Sequence, residues 1–248
     1  MDSVSIEKLI YSGLCKWTPN IPIPMIPRLN ISGKLLTTVV LLATFFWPTT
    51  NPDKAYSQII NGIVKGTVSF ETIPDNEFFE ISETVIYLSG DGLTAETLDP
   101  KASEQMLLDQ IDYTFVPRVL PILAGKKMSF HNSDDELHNI HTYSKGRRRN
   151  RNFNRAQRPG STFTGTFARP DSILVLCDIH SQMIAHILIL ENGFFTKAST
   201  TGTYTINDVP PGQYDLTVWN EWFGEVKTTI EITDGQTISV DVTFPNTP

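Results

Sequence analysis

The chain has 248 residues, of which 40% are hydrophobic and 10% aromatic, so it can build one large or two small domains around buried cores. Its formal net charge is −7. Residues 1–57 hold five Lys/Arg and three Asp/Glu, which leaves 15 basic and 24 acidic side chains (−9) and argues against nucleic acid as a partner.

An apolar segment near the N-terminus, residues 35–47, predicts a secretory signal, because Arg28 and Lys34 precede it. As a helix it would span roughly 20 Å, less than the roughly 30 Å of a hydrocarbon core. We therefore interpret residues 1–57 as a signal peptide with a long n-region, cleaved near Ser57. This predicts a periplasmic or secreted protein; the alternative is an uncleaved segment that anchors the protein to the membrane.

The chain contains two cysteines, Cys15 and Cys177. Cleavage would leave Cys177 alone, without an intramolecular disulfide partner. A lone thiol in an oxidising compartment favours a dedicated use such as metal binding. The alternative is a buried, inert cysteine.

From about residue 60 onward, the pattern predicts an all-β fold. Alternating or β-branched apolar segments are separated by residues that favour turns, as is typical of strands. The predicted strands are residues 62–70, 84–88, 107–113, 119–123, 127–131, 173–176, 184–190, 202–206, 214–219, 225–233 and 237–244. Residues 93–106 are mixed and predict a loop or a short helix.

A dense basic run interrupts this acidic chain and lacks apolar periodicity, so residues 144–160 are predicted to form a loop. Its charges suggest a docking element for an acidic redox partner. The alternative is a solvated loop without a binding role. The residues assigned to docking are Lys145, Arg147, Arg148, Arg149 and Arg151.

Cys177, His180 and Met183 lie within seven residues, between two predicted strands, and His138 precedes them by about forty residues. A thiolate, two imidazoles and a thioether are the donors of a mononuclear blue copper site, which binds copper and passes single electrons. His141 is a rival for the first histidine ligand.

The other histidines and the cysteine count bear on the class of protein. His186 falls within a predicted strand, which favours a structural side chain. One cysteine in the loop excludes a binuclear copper centre, and five histidines are too few for a multicopper oxidase.

The approach to His138, with Asn132 and Asp134 followed by His138-Asn139, resembles that of cupredoxins, and the Cys-x-x-His-x-x-Met loop resembles that of amicyanin. The resemblance implies a Greek-key β-sandwich over residues 107–192. It also implies one type 1 copper ion. The implied metal ligands are His138, Cys177, His180 and Met183, with Asn139 joining the two ligand loops.

Residues 208–216, with a Pro-Pro-Gly-x-Tyr turn, resemble the carboxypeptidase-regulatory-like (transthyretin-like) β-sandwich, whose usual opening pattern is found at residues 62–68. This implies a smaller sandwich split by the cupredoxin, with its parts at residues 58–106 and 193–248. The alternative is that residues 60–90 supply early cupredoxin strands. The combination resembles methylamine-utilisation-like proteins.

These features predict a non-enzymatic type 1 copper protein that carries single electrons between redox partners. The partner would be a redox protein, a cytochrome or a dehydrogenase. One alternative is a copper-binding or copper-delivery protein without redox turnover. Another is a structural β-protein whose copper site has decayed.

Overall fold

The described part of the chain is built of β-strands. The computed structural model describes residues 60–93, 106–145 and 152–246, which contain seventeen strands and one 3-10 turn, Ile81–Glu83. The strands are β1 (Gly62–Phe70), β2 (Val85–Ser89), β3 (Leu107–Ile111), β4 (Thr114–Val116), β5 (Val119–Leu123), β6 (Lys127–Asn132), β7 (His138–Ser144), β8 (Asn154–Gln157), β9 (Thr162–Thr166), β10 (Asp171–Leu176), β11 (Ile184–Leu190), β12 (Phe195–Lys197), β13 (Thr203–Val209), β14 (Gly212–Asn220), β15 (Gly224–Ile232), β16 (Thr237–Ser239) and β17 (Val242–Phe244). The predicted all-β class is confirmed.

The predicted signal peptide, residues 1–57, lies outside the described residues. Within the described ranges, no helix has the length and apolar character needed to cross a bilayer.

The first sandwich, which we call the site-bearing sandwich, consists of β3 to β11. One sheet has the strand order β4-β3-β6-β9, and the other has the order β5-β11-β10-β7-β8. Their facing sides bury a common core that includes Phe115, Phe130, Ile140 and Val175. Because β10 and β7 are antiparallel, with Leu176 opposite His141, the end of β10 lies beside the start of β7. This register brings the predicted ligand segments together.

The second sandwich consists of β1, β2 and β12 to β17. Its sheets have the orders β13-β1-β16, with β17 also on β1, and β12-β2-β14-β15. β1 pairs with β13 and β2 pairs with β14, so strands from before and after the site-bearing segment share each sheet. Gly66 in β1 permits a close approach, since a Cβ there would lie 1.9 Å from the carbonyl oxygen of Val240.

β11 is apolar apart from His186, because both of its faces are covered and the usual alternation of a half-exposed strand is absent. Ile187 belongs to the core of the site-bearing sandwich. Leu188 and Leu190 point the other way and pack with Trp219 of the second sandwich. The two sandwiches therefore share an apolar interface on β11.

A polar network lies beside this interface. Glu221 accepts a hydrogen bond from Arg118 Nε, and its Oε2 lies 3.2 Å from His186 Nε2. The Arg118 guanidinium also lies over the rings of Phe78 and Trp222, at 5.2 and 5.8 Å. Burial acts to raise the pKa of Glu221, but hydrogen bonds and charge from His186 and Arg118 hold that pKa below its usual value. His186 thus contributes to the contact between the sandwiches.

Several strands differ from the prediction. Four of them, β4, β8, β9 and β12, lie outside the predicted strands, and the strand predicted for residues 237–244 is divided into β16 and β17. The loop predicted for residues 144–160 contains β8, an edge strand that pairs with β7. Its first three residues are exposed, so it has no apolar alternation to detect. The strand predicted for residues 107–113 ends at Ile111, because Asp112 and Tyr113 adopt positive φ angles of 49° and 58° and turn the chain.

Candidate metal centre

The ligand loop joins β10 to β11. It begins at Cys177 and ends at Met183, and it is closed by its own backbone. Met183 N–H donates to the carbonyl of His180 at 3.1 Å, and Cys177 N–H donates to the carbonyl of Met183 at 3.3 Å. These bonds make a tight turn with its first and last side chains directed towards the same core. Cys177 is 4% exposed and Met183 is fully buried.

His138, the first residue of β7, meets this loop. Its Nδ1 lies 2.9 Å from Nδ1 of His180, which in turn lies 3.9 Å from Sγ of Cys177. The three donor atoms all lie within 4.8 Å of one another. Atoms that share one ion by bonds of about 2.0 Å to nitrogen and 2.3 Å to sulfur are separated by at most roughly 4.3 Å. The two measured separations satisfy this limit, and Met183 lies nearby.

The donor types decide which metal suits the cluster. Among the described residues, His138, Cys177 and His180 form the group of His, Cys and acidic side chains that could bind a metal ion. Two imidazoles, one thiolate and a neighbouring thioether suit copper, whereas structural zinc sites combine four Cys and His ligands. The residues present are therefore consistent with type 1 copper.

Asp134 orients His138. Its Oδ2 lies 2.7 Å from His138 Nε2, which leaves Nδ1 of a neutral imidazole free to coordinate a metal. The same carboxylate accepts the backbone N–H groups of Asp112 and Tyr113, at 2.6 and 3.0 Å. Burial acts to raise the pKa of Asp134, but these hydrogen bonds and that with His138 hold it below its usual value.

The sequence pattern alone does not indicate this role for Asp134. The available signal was its position four residues before His138, at the end of the Asn132-x-Asp134 segment. Asn132 shapes that segment, because its Oδ1 accepts the N–H of Asp134 at 3.0 Å and its Nδ2 donates to the carbonyl of Glu136 at 2.8 Å.

Asn139 joins the two ligand segments. Its Oδ1 accepts the N–H of Asp178 at 2.8 Å and is 3.4 Å from Sγ of Cys177. Its Nδ2 donates to Oδ1 of Asn154 at 2.7 Å and to Oδ2 of Asp178 at 3.2 Å. Asn139 therefore links the strand that carries His138 to the loop that carries Cys177, and β8 braces the same contact.

The remaining histidines lie outside the cluster. His141 Nδ1 is 2.9 Å from Oδ1 of Asp178, and its ring lies 4.2 Å from that of Tyr143. His131 Nδ1 lies 2.6 Å from the Thr162 hydroxyl. His186 faces Glu221 at the interface between the sandwiches. The alternation of β7 explains the difference between His138 and His141, which are three residues apart and so point to opposite faces.

The surface beside the cluster is partly apolar. His180 is partly exposed, whereas His138 is fully buried. Leu137 and Ile179, which neighbour the two histidines in sequence, are both exposed. Tyr113 is also exposed, and its ring lies beside both imidazoles.

Most of the residues assigned to partner docking cannot be located on this surface. Lys145 is exposed just after β7. Arg147, Arg148, Arg149 and Arg151 lie outside the described residues. Their docking role stays a prediction.

Comparison with known proteins gives one family model and several solved structures. Residues 191–240 match the model for polysaccharide lyase family 4, domain II, a fibronectin-type-III-like domain. No curated protein matches the chain.

The similar solved structures include a cupredoxin, a nitrite reductase and an amicyanin variant. A purple cupredoxin from Nitrosopumilus maritimus is 17% identical, with 35% of this chain and 100% of that chain covered, at a TM-score of 0.31. The copper-containing nitrite reductase of Thermus scotoductus SA-01 is 23% identical, with 35% of this chain and 22% of that chain covered, at a TM-score of 0.31. An oxidised point mutant of amicyanin is 14% identical, with 42% of this chain and 98% of that chain covered, at a TM-score of 0.32. Likenesses this weak assign no function.

The described residues thus form two β-sandwiches, one of which bears the His–Cys–His cluster, while residues 191–240 of the other match the family model. The predicted fold class is confirmed.

Proposed function

We propose that this protein is a type 1 copper protein that carries single electrons between redox partners and breaks no substrate bond. The observation that carries the proposal is the convergence of three donor atoms, from His138, Cys177 and His180, within 4.8 Å of one another. Met183 lies beside them in the same buried core as Cys177. This donor set is the one that type 1 electron-transfer sites use.

Each ligand has a role that follows from its chemistry. Cys177 would provide the thiolate, and His138 and His180 would bind through their Nδ1 atoms. Met183 would supply the weak axial thioether that tunes the reduction potential. A bound copper ion supplies one-electron exchange between its Cu(I) and Cu(II) states.

The hydrogen bonds around these residues favour electron transfer, because they restrain the ligands. Asp134 holds the ring of His138, and Asn139 holds the backbone next to Cys177. Ligands fixed by such neighbouring contacts keep one arrangement when the charge of the site changes. A carrier needs this constancy more than a copper-delivery protein does, since a delivery protein must release its metal.

His180 is the ligand through which we expect electrons to enter and leave, because it is the partly exposed member of the pair. The exposed apolar side chains of Leu137 and Ile179 would allow a redox protein to approach closely. We expect this partner to be a redox protein, either a cytochrome or a dehydrogenase. Docking by Lys145, Arg147, Arg148, Arg149 and Arg151 is part of this proposal.

The domain organisation and location belong to the same proposal. We propose a cupredoxin unit at residues 107–192, inserted into a sandwich formed by residues 58–106 and 193–248. The pairing of β1 with β13 and of β2 with β14 supports this division. The smaller sandwich would be carboxypeptidase-regulatory-like, and the protein periplasmic or secreted, with residues 1–57 as its signal.

Loading the purified protein with Cu(II) tests the proposal. We expect an intense visible absorption band and a type 1 paramagnetic resonance spectrum, with reversible reduction in voltammetry. Cys177→Ser should abolish the band because the thiolate is its source, while His131→Ala, at a histidine outside the cluster, should retain it as the control.

Two outcomes would contradict the electron-carrier proposal. An unchanged blue band in Cys177→Ser would remove the ligand assignment. A protein that binds Cu(I) without colour and exchanges it readily with a chelator would instead be a copper-delivery protein.

A further inference from the structure

The turn between β3 and β4 lies beside the candidate metal centre and has an uncommon backbone conformation. Its residues Asp112 and Tyr113 adopt φ angles of 49° and 58°, in the left-handed region that residues with side chains rarely occupy. Neither residue is glycine, so the surrounding structure must hold this conformation. Asp134 does so, because its carboxylate accepts the backbone N–H of each residue.

The bend places the ring of Tyr113 against both histidines. Its centroid lies 5.0 Å from that of His180 and 5.7 Å from that of His138, with interplanar angles of 85° and 88°. Both are edge-to-face contacts, the arrangement that aromatic rings prefer. Tyr113 itself is 41% exposed to solvent.

The two histidines are restrained by different means. His138 is buried, and its Nε2 is bound to Asp134 at 2.7 Å. For Nε2 of His180, which is partly exposed, no hydrogen bond is found within the described part of the chain. Besides His138 and Cys177 at its Nδ1 side, the described residues therefore restrain the imidazole of His180 through its ring contact with Tyr113.

We propose that Tyr113 is a positioning residue of the copper site: its ring holds His180 in the coordinating orientation and keeps small anions away from the metal. The inference rests on the proposed function, since it concerns the same site. Asp134 contributes to both restraints, because its carboxylate is hydrogen-bonded to His138 and to the turn that carries Tyr113.

The experiment compares copper-loaded Tyr113→Ala and Tyr113→Phe with the parent protein. Tyr143→Ala is the matched control, since Tyr143 is similarly exposed but packs on His141, outside the cluster. Sodium azide is titrated against the Cu(II) spectrum, and copper release to a chelator is timed. We expect Tyr113→Ala to bind azide at least tenfold more tightly and to release copper at least tenfold faster. Tyr113→Phe and Tyr143→Ala should behave as the parent.

Nuclear magnetic resonance of the metal-free protein separates this inference from the copper proposal. The ring signals of His180 should broaden in Tyr113→Ala and stay sharp in Tyr113→Phe, whether or not copper binds. Tyr113→Leu replaces Tyr113→Ala if the latter does not fold. Parent-like azide binding, copper release and His180 signals in the variant without the ring would overturn the role of Tyr113. Absence of a blue spectrum in the parent, with the His180 effect intact, would instead overturn the proposed function.

Discussion

Asp134→Asn should weaken copper binding and destabilise the metal-free protein, because the replacement removes the charge while it preserves the shape. The carboxylate accepts three hydrogen bonds, and an amide has only one oxygen. At least one donor therefore loses its acceptor, at a cost of about 1–3 kcal/mol, and the remaining bonds lose their assistance from charge. We expect a total loss of about 2–4 kcal/mol in the free energy of unfolding.

The effect of Asp134→Asn on copper affinity is estimated separately from its effect on stability. Side chains that orient a ligating histidine typically change metal affinity by roughly 10–100-fold when they are replaced. Chelator competition measures the copper affinity, and urea unfolding of the metal-free protein measures stability.

The neighbouring Asp135 offers a matched control, because it is exposed and carries the same charge. Asp135→Asn should change copper affinity by less than about twofold, since exposed charges are screened by water and salt. Equal affinities in Asp134→Asn and Asp135→Asn would refute the orienting role and leave only a general effect of charge.

Three further predictions concern other parts of the molecule. Met183→Leu should keep copper bound and raise the reduction potential, because the axial thioether stabilises Cu(II); voltammetry checks this, and complete loss of copper would contradict it. Glu221→Gln should lower the free energy of unfolding by about 3 kcal/mol at neutral pH, since it removes one partner of a buried ion pair. The pKa of Glu221 is lowered in the folded state, so its contribution to stability is present above its ordinary pKa and is lost as pH falls through the folded-state pKa. The variant should therefore show a flatter loss of stability in acid, measured by urea unfolding. Replacing Arg147, Arg148 and Arg149 with Ser should slow electron transfer from an acidic partner at low salt and flatten its salt dependence; an unchanged salt slope in stopped-flow kinetics would remove the docking role.

The ligand types could be predicted from the sequence because they are chemically specific and three of them lie in one short loop. Cys177, His180 and Met183 fall between two apolar strands, so chain connectivity alone keeps them close together. The position of His138 depended on resemblance, since nothing in its local pattern distinguishes it from His141. The structure separates the two through the opposite faces of β7.

The contacts of Asp134 with the turn between β3 and β4 could not be predicted because they join residues that are distant in sequence. Asp134 reaches the backbone of Asp112 and Tyr113, about twenty residues earlier. Tyr113 lies inside a predicted strand, but the positive φ angle of its backbone belongs to a turn, and its ring lies beside His180. A sequence pattern with a period of two residues carries no information about such a turn.

β8 escaped prediction for a related reason. It is an exposed edge strand whose residues Asn154, Arg155 and Ala156 lack any apolar alternation. Its pairing with β7 nevertheless brings Asn154 to the ligand segments. Asn154 Oδ1 accepts a hydrogen bond from Asn139 Nδ2 at 2.7 Å, and Asn154 Nδ2 donates one to Asp178 Oδ2 at 2.6 Å. Part of the segment predicted as a loop therefore supports the candidate metal centre.

The second sandwich reaches the ligand loop through β11. That strand begins one residue after Met183 and pairs with both β10 and β5. Its outward residues Leu188 and Leu190 pack with Trp219, and His186 binds Glu221. A strand that is packed on both faces has little freedom to move, because close-packed protein interiors have low compressibility. The second sandwich thus restrains the end of the ligand loop without contributing a ligand, which gives it a structural part in the site.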